Sequence, residues 1–168
     1  MKPAAPKQTK RLPSKKASQP EPQGITAHVC IALDSGFAVF PLIAREKTPA
    51  CKHGFKDASS DPATVKPWFV EHPDNNYGIA TGEPSGIFVL DVDGYDGSNS
   101  LRNLTKEYGK LPITVKVATD NGQHYYFRHP GQPVQTNAGR IGPGLDIRGD
   151  GGYVVGAGST HPSGHIYS

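Results

Sequence analysis

The stretch that most constrains this chain is Gly86-Ile87-Phe88-Val89-Leu90-Asp91-Val92-Asp93-Gly94. An apolar, partly β-branched run enters two carboxylates and is bounded by glycines, which favours a strand over a buried helix. Apolar residues fall on both faces, so the strand is expected to be central and covered on both sides. Asp91 and Asp93 are two apart, so both carboxylates leave one face while Val92 points the other way. Like charges side by side at the end of a buried strand repel, and a hard cation such as Mg²⁺ or Mn²⁺ relieves that repulsion. The same residues are also compatible with a strand that ends in an acidic Asp-Gly turn. Asp-x-Asp after an apolar strand also occurs in nucleotide-sugar glycosyltransferases, so the motif alone names no reaction.

Elsewhere the chain fits one domain of 168 residues, rich in turns, with 20 Gly and 16 Pro. No apolar run approaches the length of a membrane span, and no secretory signal core follows the N-terminal charges. A cytoplasmic, membrane-free protein is therefore expected. Cys30 and Cys51 form no CxxC pair and read as free, buried thiols. Six Lys and Arg and no acid lie in residues 1–20, so the net charge of +3 becomes −3 over residues 21–168. Residues 1–24, dominated by Pro, Lys, Ser and Gln, read as a disordered basic arm. It serves either to hold a polyanion such as DNA or to keep the protein soluble.

Beyond the arm, residues 26–34 read as a short amphipathic helix. Residues 37–43 read as a strand, which Pro41 places at an edge or a bend. Asp61-Pro62 opens a second helix carrying Val65, Trp68 and Phe69. Residues 76–82 form a strand and turn that lead into the central strand. After Asp93 come a helix over 98–108, a strand over 113–119, an Asn121-Gly122 hairpin turn and a returning strand over 123–128. On that last strand His124, Tyr126 and Arg128 share a face. A Gly/Pro/Asn-rich loop over 130–144 is long enough to suspect function. Residues 145–148 form a short strand with Asp146 and Arg148 on one face, and Tyr153-Val154-Val155 follows a glycine turn. This mixture of helices, strands and late hairpins predicts an α+β domain around a mixed or antiparallel sheet.

Read together, Asp91, Asp93 and Asp146 lie at strand ends and suit two metal ions bridged by carboxylates, as in in-line phosphoryl displacement. His124 and Arg148 then supply donors for a triphosphate. Ser159 and His161 lie in a polar Ser-Thr-His-Pro turn. Taken singly, each of these residues also has a plain structural use, as a satisfied strand polar group, a surface ion-pair former or a turn residue.

The order of the motifs resembles the N-terminal catalytic domain of bifunctional DNA primase-polymerases, in the archaeo-eukaryotic primase superfamily. The resemblance rests on Val89-Leu90-Asp91-Val92-Asp93, then Gly122-Gln123-His124, then Leu145-Asp146-Ile147-Arg148-Gly149 with Tyr153-Val154-Val155 behind it. The opening agrees too, in Gly36-Phe37-Ala38-Val39-Phe40-Pro41, Lys47-Thr48-Pro49, Gly54-Phe55-Lys56-Asp57-Ala58 and Tyr77-Gly78-Ile79-Ala80-Thr81-Gly82. It covers roughly residues 26–168.

The resemblance implies an RRM-like sheet with an N-terminal α/β unit packed beside it, and a catalytic domain spanning residues 25–168. It implies template-directed nucleotidyl transfer, in the replication of a phage, plasmid or integrated element such as a prophage. Asp91, Asp93 and Asp146 would bind Mg²⁺ or Mn²⁺ in a two-metal site. His124 would contact the triphosphate, with Arg148, Ser159, His161 and Lys47 as further nucleotide contacts. The implied partners are a single-stranded DNA template, nucleoside triphosphates and a helicase domain or protein. Two departures stand out. Thr119-Asp120-Asn121-Gly122-Gln123 precedes the histidine where relatives carry small residues, which adds the negative charge of Asp120. The chain also stops before the family's further aromatic-rich strand, so the domain is expected to be truncated at its C-terminal end, with a loose segment over 159–168 and an unpaired sheet edge beside it. The rival readings are a catalytically silent nucleic-acid-binding domain of a replication protein, and a metal-dependent glycosyltransferase or phosphodiesterase.

Overall fold

A computed structural model describes residues 25–168. The basic arm read from residues 1–24 lies outside the described residues. Among those described, three α-helices accompany two antiparallel sheets, the α+β class expected from the sequence.

The first half of the described chain builds the smaller sheet. Helix α1 (Ile25–Asp34) leads to β1 (Val39–Leu42), then to α2 (Pro62–Glu71) and β2 (Asn76–Ala80). Asp61 caps α2 through its carboxylate, which accepts the Ala63 N–H at 3.0 Å, and Pro62 sits in the first turn, where it forfeits no helical hydrogen bond. The sheet is completed by β8 (Tyr153–Val155) in the order β1-β2-β8, which puts Pro41 on an outer strand as its missing N–H requires. This third strand comes from near the end of the chain. The unit beside the main sheet is therefore not purely N-terminal.

The larger sheet is built from β3 (Ile87–Asp93), β4 (Lys116–Ala118), β5 (Gly122–Arg128), β6 (Asn137–Ala138) and β7 (Leu145–Arg148), in the order β4-β5-β3-β7-β6. The apolar run found first in the sequence is thus the central strand, with β5 on one side and β7 on the other. Its two faces are both covered, as its composition demands. Ile87 and Val89 join a core shared with α1, α2, the small sheet and Tyr126. Leu90 and Val92 face the opposite way, with Leu145 and the partly buried Leu101 and Leu104 of α3 (Gly94–Tyr108). Helix α3 starts directly after Asp93, four residues earlier than the spacing of its apolar side chains suggests. The early start rests on a close backbone approach. A β-carbon on Gly97 would meet the Gly144 carbonyl, and that carbonyl accepts the Asp93 N–H at 2.8 Å.

The end of the chain corrects one expectation. Residues 159–168 pack against the body instead of lying loose, while β8 pairs only with β2 and stays an outer strand of the smaller sheet. Ser159 is fully buried and Tyr167 is 3% exposed. The Tyr167 N–H donates to the Ser159 carbonyl, and Ser168 exchanges backbone hydrogen bonds with Ala118 on β4. A few residues suffice because the segment folds back as a tight loop, bridged at Thr160 and Ile166, rather than as a full strand. Cys30 and Cys51 are free, as read from the sequence, but only partly buried.

Candidate active site

Strand register brings the acids together. Asp91 on β3 faces His124 on β5 and Asp146 on β7, and Asp93 lies opposite Gly122. Side chains directly opposite on adjacent strands share a face, so Asp91, His124 and Asp146 form a row across the middle of the sheet. Arg148, two residues after Asp146, emerges on the same face. A residue larger than glycine at 122 would drive its β-carbon into the Val92 carbonyl oxygen. The Asn121-Gly122 turn therefore sets how closely β5 approaches the acidic end of β3.

Two neighbouring cavities open on this face. One, of about 130 Å³, is lined by Lys47, Asp91, Asp93, Asp120, His124, Arg148, His161 and Tyr167, among others. The second, of about 320 Å³, shares Lys47, Asp91, His124, Arg148 and Tyr167 and adds Phe55, Tyr153, Val155 and the Gly151-Gly152 backbone. The first is polar; the second has an aromatic and apolar wall. A larger cavity of about 580 Å³ lies on the opposite face, between α3 and the β4–β5 hairpin. None of the candidate residues lines it, so size does not identify the site here.

The electrostatics follow from burial. Asp91 is 7% exposed, and desolvation raises its carboxyl above the ordinary range, with the Arg148 guanidinium opposing the rise. Asp93 is also raised, first by desolvation and then by repulsion from Asp91. It occupies the N-cap position of α3 but makes no capping hydrogen bond, so its carboxylate is left for the cavity. Desolvation lowers His124 from 6.5 to about 4, which keeps its imidazole neutral at pH 7. Its Nε2 stands 3.5 Å from Asp91 Oδ1, too far for a strong hydrogen bond, and its buried Nδ1 has no hydrogen-bond partner.

Arg148 holds the acids in a particular way. Its Nη2 donates to Asp146 Oδ2 at 2.9 Å and to Asp91 Oδ2 at 3.4 Å. Asp146 Oδ1 accepts the Gly139 N–H at 2.9 Å, so the loop over 130–144 helps fix that carboxylate. Three carboxylates in or beside a desolvated row are the right donors for a hard divalent cation, which would offset the desolvation and the repulsion that raise Asp91 and Asp93. They do not yet surround one point. Among the described residues, no group of three or more His, Cys, Asp or Glu side chains is arranged to hold a metal ion.

Of the residues named from the sequence, Asp91, Asp93, His124, Arg148, Lys47 and His161 line the cavities, and Asp146 joins them through Arg148. Ser159 does not. It is completely buried, and its Oγ accepts the Tyr77 N–H at 3.3 Å. The residue missed is Tyr167, which lines both cavities and stacks on His124 with ring centroids 6.1 Å apart. A lone aromatic one residue from the end of the chain carries no signal in the sequence; only the return of the segment onto β4 brings it here. Asp120 also enters the site, but its charge is engaged. Its Oδ1 accepts the Ser163 hydroxyl at 2.6 Å, which lowers its pKa, and His161 Nδ1 lies 3.5 Å from its Oδ2.

Comparison with known proteins adds an independent finding. The family model described as bifunctional DNA primase/polymerase, N-terminal, matches residues 30–168. A search of curated proteins returns no match.

Proposed function

The chain belongs to the bifunctional DNA primase/polymerase N-terminal family, and from that membership we propose that it catalyses template-directed nucleotidyl transfer from nucleoside triphosphates onto a primer or an initiating nucleotide. The observation that carries the reading is the row Asp146–Asp91–His124 on three adjacent strands, opening into a cavity that also receives Lys47, Arg148 and His161. Acids alone would suit many metal enzymes. Acids beside three basic or imidazole side chains, next to a cavity walled by Phe55 and Tyr153, suit a triphosphate joined to a nucleoside.

In this reading the triphosphate lies in the smaller cavity. Lys47 and Arg148 neutralise its charge, and His161 supplies a further contact. The neutral His124 imidazole donates an N–H to a phosphate oxygen; the ionised acceptor makes that bond charge-assisted even though the ring is uncharged. The nucleoside occupies the larger cavity. Asp91, Asp93 and Asp146 would hold Mg²⁺ or Mn²⁺, which supplies a lowered pKa for the attacking 3′-hydroxyl and charge neutralisation at the departing pyrophosphate. The protein's own part is to position and to neutralise, and to keep water from the buried end of the row.

The five-stranded sheet supports the RRM-like reading. From β3 through α3, β4, β5 and β7 the chain follows a β-α-β-β-β course, with β3 between β5 and β7. That is the strand order of a split β-α-β fold in which the loop over 130–144 and β6 replace the second helix. The proposed setting is replication of a phage, plasmid or integrated element, in the cytoplasm, on single-stranded DNA and alongside a helicase. Among the described residues no helix is long and apolar enough to cross a membrane.

Primer extension on a templated oligonucleotide, with Mg²⁺ or Mn²⁺, tests the proposal. Wild-type protein should extend the primer, and Asp91→Asn and Asp93→Asn should each abolish incorporation while keeping a cooperative thermal transition. Incorporation near the wild-type rate in either variant would overturn the site assignment. Absence of extension by the wild type, with single-stranded DNA still bound, would favour a catalytically silent binding domain.

A further inference from the structure

The acids read as a metal site are already bridged by a cation of the protein's own. Each of the two central carboxylates turns one oxygen away from the centre. Asp146 Oδ1 accepts the Gly139 N–H, and Asp91 Oδ1 faces His124 Nε2. The oxygens left to face each other are Asp146 Oδ2 and Asp91 Oδ2, and one nitrogen, Arg148 Nη2, reaches both. Two inward oxygens with a single positive group between them is the arrangement a divalent cation would otherwise adopt.

We propose that Arg148 occupies the cation's place in the nucleotide-free protein, and that a divalent cation binds Asp91 and Asp146 only when a triphosphate draws Arg148 away. The proposal rests on the nucleotidyl-transfer reading and adds an order of events to it. Arginine stays protonated at any working pH, so the competition cannot be removed by deprotonation. The same side chain is one-third exposed and lines both cavities, so a change of rotamer carries the guanidinium from carboxylate to phosphate without backbone movement. A bidentate phosphate contact compensates it for the acids it leaves. Metal and triphosphate then each favour the same displaced position of Arg148. Their binding is coupled, and the coupling is reciprocal. The consequence is a site that takes up metal with its nucleotide and resists metal alone.

Direct binding of Mn²⁺ to the full chain, read by electron paramagnetic resonance of the free ion, tests this. The titration is made with and without a non-hydrolysable deoxynucleoside triphosphate, in wild type, Arg148→Gln and Arg148→Lys. Arg148→Gln should bind Mn²⁺ alone about tenfold more tightly than wild type, the scale of one charge contact in a partly buried site. The tightening that the triphosphate gives to wild type should shrink in that variant. Arg148→Lys keeps the charge but not the fork, and should fall between the two; it also serves if Arg148→Gln fails to fold. Equal or weaker binding of Mn²⁺ alone in the variants, with wild-type binding abolished by Asp91→Asn, would overturn the proposal and leave the metal site standing. Mn²⁺ binding that Asp91→Asn does not alter in any of these proteins would overturn both.

Discussion

Burial keeps the His124 imidazole neutral down to about pH 4, against an ordinary value of 6.5. The unfolded chain therefore takes up this proton first as the solution is acidified, and stability contributed by the neutral ring is lost as pH falls from about 6.5 to about 4. The full difference amounts to roughly 3 kcal/mol at ~1.4 kcal/mol per pH unit. Asp91 and Asp93 act in the opposite sense. Their raised carboxyls mean that the folded state binds those protons first, so acidification through their range relieves a penalty. A comparison with His124→Phe separates the two effects. In chelator-treated protein, denaturant unfolding should show wild type losing about 2–3 kcal/mol relative to His124→Phe between pH 6.5 and 4. Parallel profiles would mean that the ring titrates as in water. At this scale the acids were legible in the sequence, because Asp91 and Asp93 follow an apolar run and Asp146 and Arg148 alternate on a strand. That one Arg148 nitrogen reaches both Asp91 and Asp146 was not legible. The contact depends on Asp91 and Asp146 facing each other across one register, which no local pattern in the sequence specifies.

Elements were readable where a local signal defined them. The β3 run, the Asp61-Pro62 helix start and the Asn121-Gly122 hairpin each carry their own chemistry. The division into two sheets carries none, because β8 pairs with β2 some 75 residues earlier and its three residues would fit either sheet. The final segment went astray for the same reason. Its order depends on partners far away in sequence, namely Ala118, Asn76 and Tyr77. That dependence makes Tyr167 the residue to perturb. Tyr167→Ala leaves a void against His124 and His161 and should cost about 3–5 kcal/mol, in the range for truncating a buried aromatic, whereas Tyr167→Phe should cost under about 1 kcal/mol. Hydrogen exchange should find the Tyr167 and Ser168 amides protected in wild type and exposed in Tyr167→Ala. Unprotected amides in wild type would return the segment to the loose state expected from its sequence.

The whole molecule divides its charge unevenly. Residues 1–20 hold six positive charges and no negative ones, while residues 21–168 sum to −3. A site that must meet both a triphosphate and a nucleic-acid strand would therefore sit on a mildly acidic body, with its cations concentrated in Lys47, Arg148 and their neighbours. On this distribution, long-range attraction of a template is expected of the arm. If all six arm charges meet phosphates of a single strand, each contributes about 0.7 to the log–log slope of affinity against salt, about 4 in total. Deleting residues 2–20 should reduce the slope by about that amount, while primer extension at saturating template proceeds at close to the wild-type rate, since no described site residue is removed. The two readouts separate the roles of arm and body. An unchanged slope would make the arm a solubilising segment and leave template capture to the body. A reduced slope accompanied by loss of extension at saturating template would mean that the arm also places the strand at Asp91 and Asp93, and that the division of labour inferred from the charge distribution is wrong.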